Sequence, residues 1–401
     1  MKRFISLLLV LILAISLVAC GKKEVDPEPD PEPVEETLKV GLICLHDENS
    51  TYDLNFIDGF KRACEEAGVE YVIRTNVPET EECYNTAAEL ADAGCKMVFA
   101  DSFGHEDYMI QAAKEFPEVE FCHATGTKAH TEGLENYHNA FASIYEGRYL
   151  DGVALGMKLN EMIAEDETLI PRVGYIGAYT YAEVISGYTS FFLGVRSVCP
   201  EAIMDVTFTG SWYDESAEKE AANTLIDRGC VAISGHADSM GAPTACENAG
   251  VPFVFYNGSV KDACPNTFIV STKIDWAPYI ALVIRSLQSG APIAVDWTGS
   301  ISTGSVVMTE VNTEVAAEGT EEKLTELLEK FKNGELNVFD TSKFMVEGVN
   351  IDSYMADVDS DPAYTPDTEV ISDGVFHESE FRSAPYFDIL IDGINVLDTA
   401  F

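Results

Sequence analysis

The chain has 401 residues, of which 46% are hydrophobic, and carries a formal net charge of −43. This length and apolar fraction predict a globular protein of two ordinary domains, and the strong negative charge argues against binding to nucleic acid or to an anionic lipid surface. The ten cysteines form no CxxC pair, which excludes a zinc ribbon or a thioredoxin-type motif and predicts mostly buried thiols.

A leader and a tether occupy the N-terminal end. The basic start MKR and the apolar run up to Ala19 have the layout of a secretory signal. Because the run ends in small residues before a cysteine, we predict a lipoprotein signal over residues 1–19 and a lipid on Cys20. Residues 20–37 alternate proline with acid, which favours an extended tether over a packed core. No later apolar run is long enough to cross a bilayer.

The rest of the chain contains the same βαβαβ unit twice. FIDGFKRAC at residue 56 matches FFLGVRSVC at residue 191, and LADAGC at residue 90 matches LIDRGC at residue 225, both at an offset of 135. The strands of both units are continuous apolar runs, as expected when helices cover both faces of a sheet. We therefore predict an α/β protein with two doubly wound parallel-sheet lobes, joined by a hinge of several strands.

The predicted lobes take their residues from alternating parts of the chain. Lobe 1 consists of residues 38–130 and about 257–303, and lobe 2 of about 131–256 and about 304–401. The acidic C-terminal region is expected to pack on lobe 2 and the hinge. Ligands of open α/β sheets lie beyond the carboxyl ends of the strands. The strand-end loops of the two lobes should therefore face each other across a cleft that closes by hinge motion.

These strand-end loops carry aromatic, amide and acidic side chains suited to holding a small molecule. Tyr52 and Trp212 come from opposite lobes, and two flat rings facing each other suit a flat, π-rich ligand held by stacking. The predicted ligand-binding residues are Tyr52, Asp53, Asp101, Ser102, Phe103, His123, Glu183, Trp212, His236, Asp238, Asn257 and Lys273.

The signatures of common enzymes are missing from the sequence. It contains no GxSxG nucleophile elbow, no HExxH motif and no GxxxxGK[ST] loop, so we predict neither catalysis nor a cofactor. We also predict no metal site. The run DVDSD that starts at Asp357 begins like a calcium loop, but Pro362 and Thr368 stand where such a loop needs Gly and Glu.

Several phrases resemble the basic membrane protein family, the substrate-binding lipoproteins of ABC importers, which includes a purine nucleoside receptor. They are HATG at 123, SIYEGRYLDGVALG at 143, EVISGYTSFFLGVRSVCPEA at 183, GSWYDESAEKEAA at 210 and VSTKIDWAPY at 270. The resemblance implies the type I periplasmic-binding-protein fold and a lipid-anchored protein on the extracytoplasmic face of the cell membrane. It further implies a permease and an ATPase as partners, and we expect the binding protein itself to be a monomer.

The same resemblance implies a purine ligand stacked between Tyr52 and Trp212, with Lys273 near the cleft. Two positions depart from the family pattern, since Ala124-Thr125 and Asn257 stand where nucleoside binders tend to carry ribose-binding aspartates. The choice between a free nucleobase and a nucleoside therefore stays open. The remaining alternatives are a receptor for another small solute, such as a sugar or a signalling molecule, and a surface sensor with no role in transport.

Overall fold

The computed structural model describes residues 37–359 and 367–398. The predicted signal, Cys20 and nearly all of the tether lie outside the described residues, as do residues 360–366 of the calcium-like run. The chain from Leu38 onward forms one compact unit. None of the described helices combines the length and the apolar character needed to cross a membrane.

Strands and helices alternate along most of the described chain, and thirteen of the seventeen strands found there form two main sheets. The strands are Lys39–Ile43 (β1), Glu70–Arg74 (β2), Met97–Ala100 (β3), Glu120–Ala124 (β4), Tyr137–Ala142 (β5), Arg172–Gly177 (β6), Ile203–Phe208 (β7), Ala232–His236 (β8), Phe253–Tyr256 (β9), Phe268–Ile274 (β10), Asp296–Gly299 (β11), Val306–Met308 (β12), Met355–Ala356 (β13), Thr368–Glu369 (β14), Ile371–Ser372 (β15), Val375–Phe376 (β16) and Ile394–Val396 (β17). The helices are Thr51–Ala67 (α1), Glu81–Asp92 (α2), Glu106–Glu115 (α3), Ala129–Glu132 (α4), Ile144–Glu165 (α5), Ala182–Val198 (α6), Glu215–Asp227 (α7), Gly241–Ala249 (α8), Ala277–Ser289 (α9) and Thr320–Lys332 (α10), with 3₁₀ turns at Phe103–His105 and Thr341–Lys343.

The two sheets repeat one strand order. The first is a six-stranded parallel sheet, β11-β5-β4-β3-β1-β2, and the second has seven strands, β12-β10-β9-β8-β6-β7-β17, of which β12 runs antiparallel to β10. Thus β2-β1-β3-β4-β5 recurs as β7-β6-β8-β9-β10. In the repeated helices α1 and α6, the matched Phe56 and Phe191 are both fully buried. The predicted α/β fold with two doubly wound parallel sheets is confirmed.

The points at which the chain changes sheets differ from the predicted lobe boundaries. β5 follows residue 131 but pairs with β4 in the first sheet, and β10 follows residue 257 but pairs with β9 in the second. The first difference arises because His138 and Asn139 interrupt the apolar pattern of β5. Both are buried there, and His138 bonds to the carbonyl oxygen of Ala294 and to Glu120, which offsets the loss of water.

The chain crosses between the sheets after β5, after β10 and after β11. Helix α9 returns to the first sheet and packs on α1, and β12 then joins the second sheet. The acidic C-terminal region ends in β17, which extends the second sheet beside β7. All nine cysteines from Cys44 to Cys264 are buried free thiols, as expected from their apolar surroundings.

Helices α5 and α6 approach closely because glycines line their contact. A Cβ atom on Gly194 would lie 2.1 Å from the carbonyl oxygen of Tyr149, and one on Gly152 would lie 2.0 Å from that of Phe191. These distances are far below van der Waals contact and involve backbone atoms, so a side chain at either position must push the helices apart. Since α5 follows the first crossover and packs on the second sheet, this contact fixes where the crossover helix sits.

We predict that Gly194→Ala destabilises the protein by about 1–3 kcal/mol, because overpacking outweighs the gain of about 1 kcal/mol in helix propensity. The measurement is the free energy of unfolding in denaturant. Ser197→Ala is the matched control, since Ser197 lies exposed in the same helix and its replacement should change stability by less than about 0.5 kcal/mol. A Gly194→Ala protein as stable as the wild type would contradict the close packing.

Candidate ligand-binding site

The loops at the carboxyl ends of both sheets enclose a cavity, which we call the cleft cavity. It contains about 460 Å³ of empty space, part of it open to solvent. The residues that line it are Leu45, His46, Tyr52, Asp53, Ser102, Phe103, Thr125, Glu183, Trp212, His236, Asp238, Tyr256 and Asn257. Its position agrees with the rule that ligands of open α/β sheets lie beyond the carboxyl ends of the strands.

Nine of the twelve predicted site residues line the cleft cavity and three do not. Asp101 and His123 lie behind the lining, fully buried, and His123 Nε2 lies 2.7 Å from the carbonyl oxygen of Ser102. Lys273 lies within β10, opposite Val307 of β12, and does not border the cavity. Asp101 and His123 therefore support lining residues, whereas Lys273 is placed elsewhere.

Four lining residues are absent from the sequence-based prediction. Leu45 and His46 lie in the loop after β1, Thr125 directly follows β4, and Tyr256 is the last residue of β9. Their position at strand ends was a usable signal. Thr125 and Asn257 also have φ angles of 64° and 78°, a left-handed conformation that is unfavourable for a β-branched threonine. Backbone strain of this kind concentrates at ligand-binding sites.

The loop after β1 is held by the carboxylate of Asp53. His46 N donates to Asp53 Oδ1 at 2.7 Å, and Ser50 Oγ donates to Asp53 Oδ2 at 2.6 Å. Ser50 also caps α1 by accepting from the Asp53 amide. Burial acts to raise the pKa of Asp53, but the hydrogen bonds from His46 and Ser50 hold it below its ordinary value. The first turn of α1, which carries Tyr52, is thus fixed to the loop after β1 by an ionised carboxylate.

The opposite side of the cavity is organised around Asp238. Asn257 Nδ2 donates to Asp238 Oδ1 at 3.0 Å, and the Asp238 amide donates to the carbonyl oxygen of Trp212 at 2.9 Å. Burial and the negative charge of Asp53 raise the pKa of Asp238 well above its ordinary value. Asp238 therefore connects the loop of Trp212 to the end of β9.

A buried hydrogen-bonded chain runs from the second sheet to the cavity. His236 Nε2 lies 2.9 Å from Glu183 Oε1, and His236 Nδ1 lies 2.7 Å from the hydroxyl of Tyr175. Arg148 of α5 lies 3.4 Å from the same hydroxyl and 2.8 Å from Asp151 Oδ2. Such a network orients the His236 ring and Glu183 at the cavity and ties them to the crossover helix.

The two sides of the cavity contact each other directly. Thr51 N and Oγ1 lie 3.4 and 3.3 Å from the carbonyl oxygen of Asp238, and Asn55 Nδ2 donates to the carbonyl oxygen of Asn257 at 2.8 Å. These contacts join the first turns of α1 to loops of the second sheet. The structure therefore shows the cleft in a closed arrangement.

Beneath the cavity, Cys44, Asp53 and Asp101 bring possible metal-ligand atoms within 4.8 Å of one another. Three polar atoms, two of His46 and one of Ser50, already lie within hydrogen-bonding distance of the Asp53 carboxylate. Burial and the charges of Asp101 and Asp53 raise the pKa of the Cys44 thiol well above its ordinary value, and a protonated thiol is a poor metal ligand. We interpret this cluster as a support for the loop.

Comparison with known proteins identifies the group to which this site belongs. A profile of the Bmp family, described as ABC transporter substrate-binding protein PnrA-like, matches residues 45–342. The chain belongs to this family. The predicted family is thereby confirmed, and the family is one of solute-binding proteins rather than a class of enzymes.

Two curated relatives carry different ligand names. A purine-binding protein of Brucella abortus is 32% identical over 314 residues, which cover 76% of this chain and 84% of that protein. A putative ABC transporter glucose-binding protein of Haloferax volcanii is 32% identical over 256 residues, which cover 64% of this chain and 62% of that protein. The match to the second relative thus spans less than two thirds of its length.

Solved structures of solute-binding proteins have the same fold. A protein from Conexibacter woesei superposes with a TM-score of 0.62 at 20% identity, covering 75% of this chain and 98% of its own. Another from Aeropyrum pernix superposes with a TM-score of 0.63 at 15% identity, covering 78% and 94%. The predicted type I periplasmic-binding fold is confirmed.

The carboxylate of Glu218 is buried and connects the loops that follow β7 and β8. It accepts from the Ser239 amide and from the Asp214 amide at 3.2–3.3 Å, and burial raises its pKa from an ordinary 4.5 to about 7. The native protein therefore binds this proton more tightly than the unfolded chain does. Stability contributed by the proton is present below pH 4.5 and is lost as the pH rises towards 7.

We predict that Glu218→Gln weakens this pH dependence. Between pH 5 and pH 8 the wild type should lose up to about 3 kcal/mol more unfolding free energy than the variant, since one pKa unit corresponds to about 1.4 kcal/mol. Denaturant unfolding at both values measures it. Glu220→Gln, at an exposed position of the same helix, is the matched control and should follow the wild type. Equal pH dependence in all three proteins would refute the assignment.

Proposed function

We propose that this protein captures a purine nucleobase or nucleoside in the cleft cavity and delivers it to an ABC importer. The observation that carries the proposal is the placement of Tyr52 and Trp212, which border the cavity from the first and the second sheet respectively. A base between these rings is held by stacking, and cleft closure excludes water from it. The name of the Brucella relative supports the same ligand class.

The charges at the cavity favour an uncharged ligand over a nucleotide. The lining residues include Asp53, Glu183 and Asp238 but neither lysine nor arginine. A phosphate would meet negative charges without a positive partner, which is costly in a buried site. The side-chain amide of Asn257 and the hydroxyl of Ser102 instead offer neutral hydrogen-bonding groups suited to the edge of a base. Nucleobases and nucleosides fit this environment, whereas nucleotides do not.

A sugar is the second candidate ligand. The Haloferax relative is named as a putative glucose-binding protein, and carboxylates at the cavity are suitable acceptors for sugar hydroxyls. The carboxylates of Asp53 and Asp238 are, however, already bonded to Ser50, His46 and Asn257. This arrangement leaves few acceptors for a ligand made mainly of hydroxyl groups, and we therefore favour the purine.

The test is calorimetric titration of the refolded, ligand-free protein with adenine, guanine, hypoxanthine, their nucleosides, AMP and glucose. We expect binding of a base or nucleoside and none of AMP.

We further predict that Trp212→Ala weakens that binding about ten- to hundredfold, because one base–aromatic stack contributes about 1–3 kcal/mol. Trp212→Phe keeps a stacking face and should recover most of the loss. Unchanged affinity in Trp212→Ala would rule out stacking, and binding of glucose alone would replace the purine by a sugar.

We also propose that the mature protein is a monomer held at the extracytoplasmic face of the membrane by a lipid on Cys20. We predict that Cys20→Ser moves the protein from the membrane fraction to the soluble fraction and abolishes incorporation of a labelled fatty acid, because the serine hydroxyl does not replace the thiolate as the lipidated group. Cell fractionation with fatty-acid labelling measures both effects. A variant that stays in the membrane fraction and remains labelled would exclude Cys20 as the anchor.

A further inference from the structure

A second cavity adjoins the cleft cavity at its mouth, and we call it the mouth compartment. It contains about 620 Å³ of empty space, part of it open to solvent. It shares Phe103, Thr125, Glu183 and Trp212 with the cleft cavity. The residues that line its other sides are Thr127, Tyr181, Ala182, Arg382, Ala384 and Pro385. The two spaces are therefore continuous, and a ligand held by Trp212 borders both.

The C-terminal segment that borders this compartment is anchored to both sheets. Ser186 Oγ of α6 donates to Glu378 Oε1 at 2.5 Å, and the Ser383 amide donates to Asp296 Oδ2 of β11 at 3.0 Å. Strand β17 then joins the edge of the second sheet. The segment lies beyond residue 342, where the match to the family ends. This chain thus adds a defined boundary to the cleft from outside the matched region.

The polar groups of the compartment are largely occupied by protein atoms. The Thr127 amide donates to Glu106 Oε1 at 2.7 Å, and Thr125 Oγ1 donates to the carbonyl oxygen of Ala124. Arg382 Nε and Nη2 donate to the carbonyl oxygens of Ala384 and Pro385 at 2.9 and 3.1 Å. Few groups remain for the hydroxyls of a ribose or a sugar, and burying such hydroxyls without partners is unfavourable.

The carbon surface of the compartment is aromatic and partly exposed. Phe103 and Tyr181 are 41% and 39% exposed, and their ring centroids lie 5.1 Å apart. The Tyr181 ring also lies 6.1 Å from that of Trp212. Large apolar side chains left exposed together beside a ligand cavity are typical of a binding surface. Because Phe103 comes from the first sheet and Tyr181 from the second, the surface is complete only when the cleft is closed.

We propose that the mouth compartment binds an apolar, planar substituent carried by the ligand. The substrate class would then be a purine that bears a hydrophobic group on its exocyclic amine or on a ring nitrogen. The base would stack in the cleft cavity while the substituent extends past Trp212 and contacts Tyr181 and Phe103. This inference rests on the proposed purine function. It gives the C-terminal segment that borders the cleft a role in binding the substituent.

The test compares adenine with N6-benzyladenine and N9-benzyladenine by calorimetric titration of the full chain. Both positional isomers are used because either can direct the phenyl ring towards the mouth. We expect at least one benzyl derivative to bind about tenfold more tightly than adenine, as befits an added aromatic contact. Ala182 lines the mouth compartment, so Ala182→Phe should fill it and bring this affinity ratio close to one. Ala291→Phe, at an exposed position after α9, is the matched control and should keep the wild-type ratio.

The outcomes separate this inference from the function on which it rests. If adenine binds but neither derivative binds more tightly, or if Ala182→Phe keeps the wild-type ratio, the compartment does not receive a substituent and the inference fails alone. If none of the three compounds binds and the bases and nucleosides of the earlier titration also fail, the purine function and the inference fail together. Thermal unfolding of each variant confirms that the substitutions leave the protein folded.

Discussion

The contact between Thr51 and the carbonyl oxygen of Asp238 joins the first turn of α1 to the loop after β8. Parallel strands place all their carboxyl ends at one edge of a sheet, so each sheet has a single edge at which its loops can form a site. The two edges here face each other, and this contact brings them together. The cleft cavity, the placement of Tyr52 relative to Trp212 and the contact of Phe103 with Tyr181 all depend on that closed arrangement.

Closure has an electrostatic cost that the loops partly offset. Asp53 and Asp238 come from opposite sides, and each raises the free energy of the other as an ion. Hydrogen bonds to Asp53 keep it ionised, whereas burial and the charge of Asp53 raise the pKa of Asp238. A pair with divergent proton affinities avoids placing two full charges side by side. The same excess of acid makes the cavity unfavourable for phosphates and compatible with neutral, hydrogen-bonding ligands.

The C-terminal region extends this arrangement beyond the part shared with the family. Helix α10 packs on the crossover helix α5, and β17 occupies the edge of the second sheet. Between them, Glu378 and Ser383 attach the chain to α6 and to β11. The region therefore bonds to both sheets near the mouth of the cleft. We infer that it affects which ligands the cleft accepts, because Arg382, Ala384 and Pro385 border the mouth compartment.

The repeat and the apolar period of the sequence determined the fold class, because strands buried on both faces and helices ending at glycines are local properties. They also located most of the site, since Tyr52, Trp212 and Asp238 follow strands whose ends must lie at one edge. The order in which β5 and β10 join the sheets was decided only by tertiary structure: buried His138 is tolerated because it hydrogen-bonds to the distant Ala294 and Glu120. The same holds for Lys273, which pairs with β12, and for the mouth compartment, whose residues lie far apart in the chain. Contacts of this kind depend on packing between segments, and no local pattern encodes them.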